Sequence, residues 1–238
     1  MKIKKTNLVC VLGITLTSAG VHAQQQWSNF SISYLNGTDY ELGDEERQYF
    51  TFEHASGHDW GDTFFFIDRE MGENDTDSLY FEFSPRLSLG HLTGKDLSFG
   101  PVKDVLITGT WEGGEGFDNV MAGIGVALDI PGFQYVNANL YRVKNENWDD
   151  DTMVTLTWGA PFKLGSAEFL YDGFVDWSAS SDTNHEEINF TSQLKWNAGK
   201  LIGTSSPFYM GIEYAYWTNK FGTDVDERSP SLLLKWHF

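Results

Sequence analysis

Apolar and polar residues alternate along almost the whole chain, in segments of about ten residues separated by polar or glycine-containing breaks. The clearest segment is 79–88, where Leu79, Phe81, Phe83, Pro85 and Leu87 alternate with Tyr80, Glu82, Ser84, Arg86 and Ser88. Side chains of a strand point to opposite faces with a period of two, so this alternation predicts strands with one apolar and one polar face. Twelve such segments follow one another: 27–35, 47–55, 62–70, 79–88, 102–112, 119–129, 133–143, 152–158, 167–177, 188–196, 208–218 and 231–238. Most are long enough to cross a bilayer as tilted strands, which takes about 9–11 residues. In the third, the run Phe64-Phe65-Phe66-Ile67 is apolar at every position, and its facing stays open.

The breaks differ by position. Those after the odd segments are acidic: 39–46, 70–77, 112–118, 144–151, 178–187 and 219–227. Those after the even segments are mostly short and marked by Gly or Pro, as at Ser56-Gly57, Ile130-Pro131-Gly132 and Gly159-Ala160-Pro161, with 90–101 the longer exception. Alternation alone fits either a soluble sandwich, apolar face inward, or a membrane barrel, apolar face outward to lipid and polar face inward to water. The nine Trp, mostly near predicted strand ends, favour the barrel, because amphipathic indole rings concentrate at membrane interfaces. The fold expected is therefore all-β: one antiparallel transmembrane β-barrel of about twelve strands, with short periplasmic turns and acidic extracellular loops. The polar face of each strand then supplies the lumen. It nominates Glu53, Glu82, Arg86, Asp104, Asn137, Asn139, Gln193, Lys195, Glu213 and Lys235, and the aromatics Tyr49, Tyr80, Tyr135 and Tyr141, which can stack on a flat solute.

Lys2, Lys4 and Lys5, then an apolar stretch beginning at Leu8, then Val21-His22-Ala23, have the pattern of a cleaved secretory signal peptide. Residues 1–23 are expected to be removed, leaving 24–238 as the barrel. The apolar stretch is too short for a spanning helix, and no later run approaches the required ~20 residues. Cys10, the only cysteine, lies inside this leader. Without Lys2, Lys4 and Lys5, the 16 Lys+Arg fall to 13 against 34 Asp+Glu, a formal charge of −21. Such a chain is a poor ligand for nucleic acid, which needs a basic surface. The charge predicts a mild preference for cations over anions. His54, His58, His91, His185 and His237 fall in no Gly-x-Ser-x-Gly or metal-ligand pattern, and the acidic loops lack EF-hand spacing, so neither catalysis nor a metal or other cofactor is expected.

The last segment, Ser231-Leu232-Leu233-Leu234-Lys235-Trp236-His237-Phe238, ends on phenylalanine and resembles the C-terminal signature of bacterial outer-membrane barrels. That signature implies recognition by the barrel-assembly machinery. The stretch around Pro85-Arg86-Leu87-Ser88, Leu92-Thr93 and above all Asp96-Leu97-Ser98-Phe99-Gly100-Pro101 with Lys103 resembles the nucleoside-specific channel-forming (Tsx-like) outer-membrane family. Asp59-Trp60, Gly173-Phe174 and Asp176-Trp177 look similar too. The strong match covers about a tenth of the chain, and the motif itself is read as packing a periplasmic turn. The resemblance implies a monomeric twelve-stranded barrel with a narrow pore that passes nucleosides through the outer membrane, among its lipids and lipopolysaccharide. Two other classes stay open at this point: a non-conducting barrel whose loops serve as a receptor or adhesin, and a lipid-modifying barrel enzyme using Ser and His from neighbouring strands.

Overall fold

The computed structural model describes residues 24–74 and 77–238; the leader expected at 1–23 lies outside the described residues. Twelve strands run in chain order: β1 (Gln25–Gly37), β2 (Arg47–His58), β3 (Gly61–Met71), β4 (Ser78–Ser88), β5 (Val102–Gly114), β6 (Phe117–Leu128), β7 (Tyr135–Lys144), β8 (Asp151–Leu164), β9 (Ala167–Ser178), β10 (Glu187–Asn197), β11 (Phe208–Thr218) and β12 (Glu227–His237). Each pairs antiparallel with its neighbours in sequence, and β12 closes onto β1 from Ser31↔His237 to Gly37↔Ser231. Closure matters because a sheet edge in hydrocarbon would leave N–H and C=O groups without partners. The two short helices, α1 (Leu89–Thr93) and α2 (Gly199–Ile202), both sit in connections at the end that carries Gln24 and Phe238. Short turns mark the periplasmic side of such barrels. This end holds 59–60, 129–134 and 165–166, together with the two longer connections that contain the helices.

Exposure is inverted relative to a soluble protein. Leu232, Ile124, Val120 and Ile212 are more than half exposed on the outside, whereas Lys195, Glu227, Ser31 and Ser229 are at most 2% exposed on the inside. The alternation therefore turns apolar residues to lipid and polar residues to the lumen.

Several expected boundaries move. Gly159-Ala160-Pro161 is not a turn: β8 runs on to Leu164, and Pro161 pairs with Leu170 of β9 beyond the point where β7 pairing ends at Tyr135↔Gly159. There β8 is an edge on its β7 side, the place where a residue without an N–H is tolerated. Ser56-Gly57 likewise lies inside β2, and the turn falls at Asp59-Trp60. Gly57 is needed because a Cβ there would stand 2.1 Å from the Trp27 indole nitrogen. The break expected at 112–118 shrinks to a two-residue hairpin, Glu115-Gly116, with Gly116 at φ +83°. Trp158 lies mid-strand rather than near an end, packed over Gly173, and Trp217 points into the barrel rather than to the interface.

Candidate functional site

The site is the lumen, and its inner-face residues fall into three levels. Near the periplasmic mouth, basic groups are held in ion pairs within the wall. Lys195, 1% exposed, donates from Nζ to Asp172 Oδ2 at 2.6 Å and to Gln193 Oε1 at 2.9 Å, and Gln193 Nε2 donates to Glu213 Oε2 at 2.7 Å. Lys235 on β12 pairs with Glu53 on β2, reaching across the small Ser31 and Ser33 of β1. Arg86 grips Asp62 with two parallel bonds, Nε to Oδ1 at 2.7 Å and Nη2 to Oδ2 at 2.6 Å, a geometry only a guanidinium provides. Asn137 donates to Thr157 Oγ1 at 3.2 Å, and Asn139 is buried beside it on β7. Asp104 accepts from the backbone N–H of Val105 at 2.8 Å, and the Tyr135 ring covers Gly159, where a Cβ would lie 2.5 Å from it. A cavity of about 440 Å³ opens here, lined by Gln134, Pro161, Leu170, Asn197 and Tyr209 among others.

The middle and outer levels differ. Asp68, Glu82, Glu112 and Asp176 point inward with no Lys or Arg within ion-pair distance among the described residues. Their hydrogen bonds come from neutral groups: Thr51 to Asp68 at 2.5 Å, Ser84 to Glu82 at 2.5 Å, Thr155 to Asp176 at 2.5 Å, and Tyr80 and Asn119 to Glu112 at 2.7 and 2.9 Å. Glu82 and Glu112 are direct cross-strand partners, and Asp176 repels both across the lumen. Like charges placed directly opposite disfavour the sheet.

Beside these acids runs a ladder of rings on the inner wall. Phe64 and Phe66 of β3, Tyr80 of β4 and Phe117 of β6 follow one another at centroid distances of 5.7, 5.5 and 6.1 Å. Tyr80 was a sequence candidate; Phe64, Phe66 and Phe117 were not. The missing signal was the facing of the Phe64-Phe65-Phe66-Ile67 run, settled only by register: Phe66 stands opposite Glu53 on one side and Glu82 on the other. Tyr141 faces inward but is packed into the wall with Met121, Val143 and Met153.

At the outer mouth, loop 38–46 and the 3₁₀ turn Lys220–Gly222 fold over the β12 wall. Lys220, 4% exposed, pairs with the buried Glu227 at 2.5 Å and lies 4.6 Å from the Trp217 ring. Burial pulls the Lys220 ammonium below its usual pKa, against the pull of Glu227. Burial also pushes the Tyr40 phenol up to about 12, so it stays a neutral hydroxyl; its ring is 5.9 Å from that of Tyr49. Arg47, paired with Glu70 at 3.0 Å, stacks 4.7 Å above the Tyr40 ring.

The family-like motifs fall outside this lining, in part. Asp96 to Pro101 builds the connection from β4 to β5: Asp96 Oδ1 accepts from Ser98 N at 2.9 Å, Phe99 bridges to Val102, and Pro101 O accepts from Asp129 N at 2.8 Å. Phe174 and Asp176, by contrast, face the lumen.

A closed barrel with apolar side chains turned out to lipid and a charged, ring-lined passage inside defines an outer-membrane channel protein. The chain matches the family model "Nucleoside-specific channel-forming protein, Tsx" over residues 22–237, and it belongs to that family. It is 24% identical over 251 aligned residues to a nucleoside-specific channel-forming protein Tsx of Klebsiella aerogenes, covering 90% of this chain and 84% of that one. It is 26% identical over 187 residues to an outer membrane protein OmpK of Vibrio parahaemolyticus, covering 70% of each. A second OmpK of that species is 31% identical over 107 residues, covering 42% of this chain and 41% of the relative. Among solved structures, a KdgM porin shares the fold with a TM-score of 0.55 at 9% identity, over 87% of this chain and 99% of that one. The protein is thus an outer-membrane barrel that forms a channel for small solutes.

Proposed function

We propose that the solute is a nucleoside, moving by passive diffusion along the ring ladder. The observation that carries this reading is the adjacency of the Phe64–Phe66–Tyr80–Phe117 ladder to the hydrogen-bonding groups Glu82, Glu112 and Asn119. A nucleobase gains about 1–3 kcal/mol from stacking on one aromatic ring. Ribose hydroxyls donate to carboxylates that no lysine or arginine occupies. Successive rings at similar spacing let a base pass from one to the next without a deep well, as conduction requires. The names of the Klebsiella relatives support the same solute class. Tyr49, Glu53, Arg86, Asp104, Tyr135, Asn137, Tyr141, Lys195 and Glu213 then act mainly by shaping the passage.

The test is single-channel current in a planar bilayer with adenosine or thymidine added. Block at millimolar concentration is expected, weakened by Phe66→Ala. Current unchanged by either nucleoside would refute the assignment. Around this core we infer an export leader at 1–23, insertion by the barrel-assembly machinery through β12 and Phe238, a monomeric state, and outer loops lying among lipopolysaccharide.

A further inference from the structure

Loop 38–46 does not stand up from the barrel. It turns back into the mouth immediately after β1. Thr38 N donates to Pro230 O at 3.1 Å, Ser229 Oγ donates to Asp39 O at 3.1 Å, and Glu41 N donates to Glu227 Oε2 at 3.0 Å. All three bonds tie the loop to the first residues of β12. Asp39 makes the reversal in the left-handed region, at φ 62°, a conformation Asp tolerates better than most residues. The result carries Tyr40 down inside the wall, with its hydroxyl 3.2 Å from Ser231 Oγ, a lumen-facing residue four positions into β12. Gly37 makes room for it: a Cβ there would stand 2.6 Å from the Tyr40 hydroxyl and 2.2 Å from Ser231 Oγ. Arg47 over one part of the ring, Tyr49 beside it and the Lys220 ammonium at 5.8 Å hold the ring in place.

The loop, anchored at these points, holds one large rigid side chain on the inner wall of the outer mouth, over β12, β1 and β2. We propose that Tyr40 sets the size limit of this channel, independently of which solute it carries. Pore diameter governs the passage of neutral solutes, so removing the ring widens the entrance without changing the charge of the lumen.

The experiment is single-channel conductance with neutral polyethylene glycols of graded size in the bath. Tyr40→Ala is expected to raise conductance by about two-fold and to admit polymers that the unsubstituted channel excludes. Gly37→Ala, which keeps the tyrosine but removes its seat, shifts both readings the same way by a smaller amount. Tyr40→Cys shows the larger conductance and then loses it when a bulky thiol reagent is added from the outer side, while the unsubstituted channel does not respond. Assembly is checked by heat-modifiable migration on gels. A folded Tyr40→Ala channel with unchanged conductance and unchanged polymer cut-off, or a folded Tyr40→Cys channel indifferent to the reagent, would overturn the proposal. Neither outcome depends on nucleoside block.

Discussion

The lumen wall holds its charges in two opposite ways. In the periplasmic half, Lys195, Lys235 and Arg86 each meet a carboxylate within the wall, so charges cancel locally and the side chains serve as struts. Further out, Asp68, Glu82, Glu112 and Asp176 have hydroxyl, phenol and amide partners only, while Arg47–Glu70 and Lys220–Glu227 are paired at the outer mouth. Composition shows a single negative total; the structure separates carboxylates held by lysine or arginine from carboxylates held only by neutral donors. The lesson is that the selectivity of a pore depends on which charges lack partners and not on the sum.

Breaking the scaffold should have the largest effect. Lys235→Met leaves Glu53 without its ion-pair partner in a crowded wall and is expected to destabilise the barrel by about 3 kcal/mol, read as a lower urea midpoint in lipid vesicles; Lys235→Met with Glu53→Gln should recover most of it. Arg86→Lys is next, because an ammonium cannot reproduce the two-bond grip on Asp62, and a loss of about 1–2 kcal/mol is expected by the same measurement. Neither the Lys235/Glu53 double variant nor Arg86→Lys should move the reversal potential appreciably. The smallest energy, and the sharpest test of the division, comes from Glu82→Gln with Asp176→Asn. This pair should lower the cation-to-anion permeability ratio by about three-fold while leaving stability equal or improved, since it relieves repulsion. A strong drop in selectivity from the Lys235 double variant, or none from the Glu82/Asp176 variant, would erase the distinction drawn between the paired and the unpaired carboxylates.

Much of this is readable in the sequence alone. β4, β10 and β11 alternate cleanly, and their polar positions, from Glu82 and Arg86 to Gln193, Lys195 and Glu213, all face inward. Legibility failed where one face could not be told from the other. In β3 both faces are apolar, so the rings of Phe64 and Phe66 were hidden among their lipid-facing neighbours. It also failed at glycine. Gly57, Gly113 and Gly114 look like loop residues in sequence, yet each lies in a strand where a ring sits over it, Trp27, Phe81 and Phe117 respectively. A missing side chain marks either a turn or a place for a neighbour's ring, and only pairing separates the two. Loop 38–46 was legible as an acidic break, but its inward course rests on contacts with residues some 190 positions away.

The Lys235–Glu53 bond also bears on how the ring is completed. It fastens the twelfth ribbon to the second by leaning over the first, so it forms only when the circle has shut. Until then the ammonium and the carboxylate remain apart, without the bond that joins them in the closed ring. An unfinished arc is thereby held to a higher free energy than the sealed annulus, and the clasp favours commitment over lingering half-built forms.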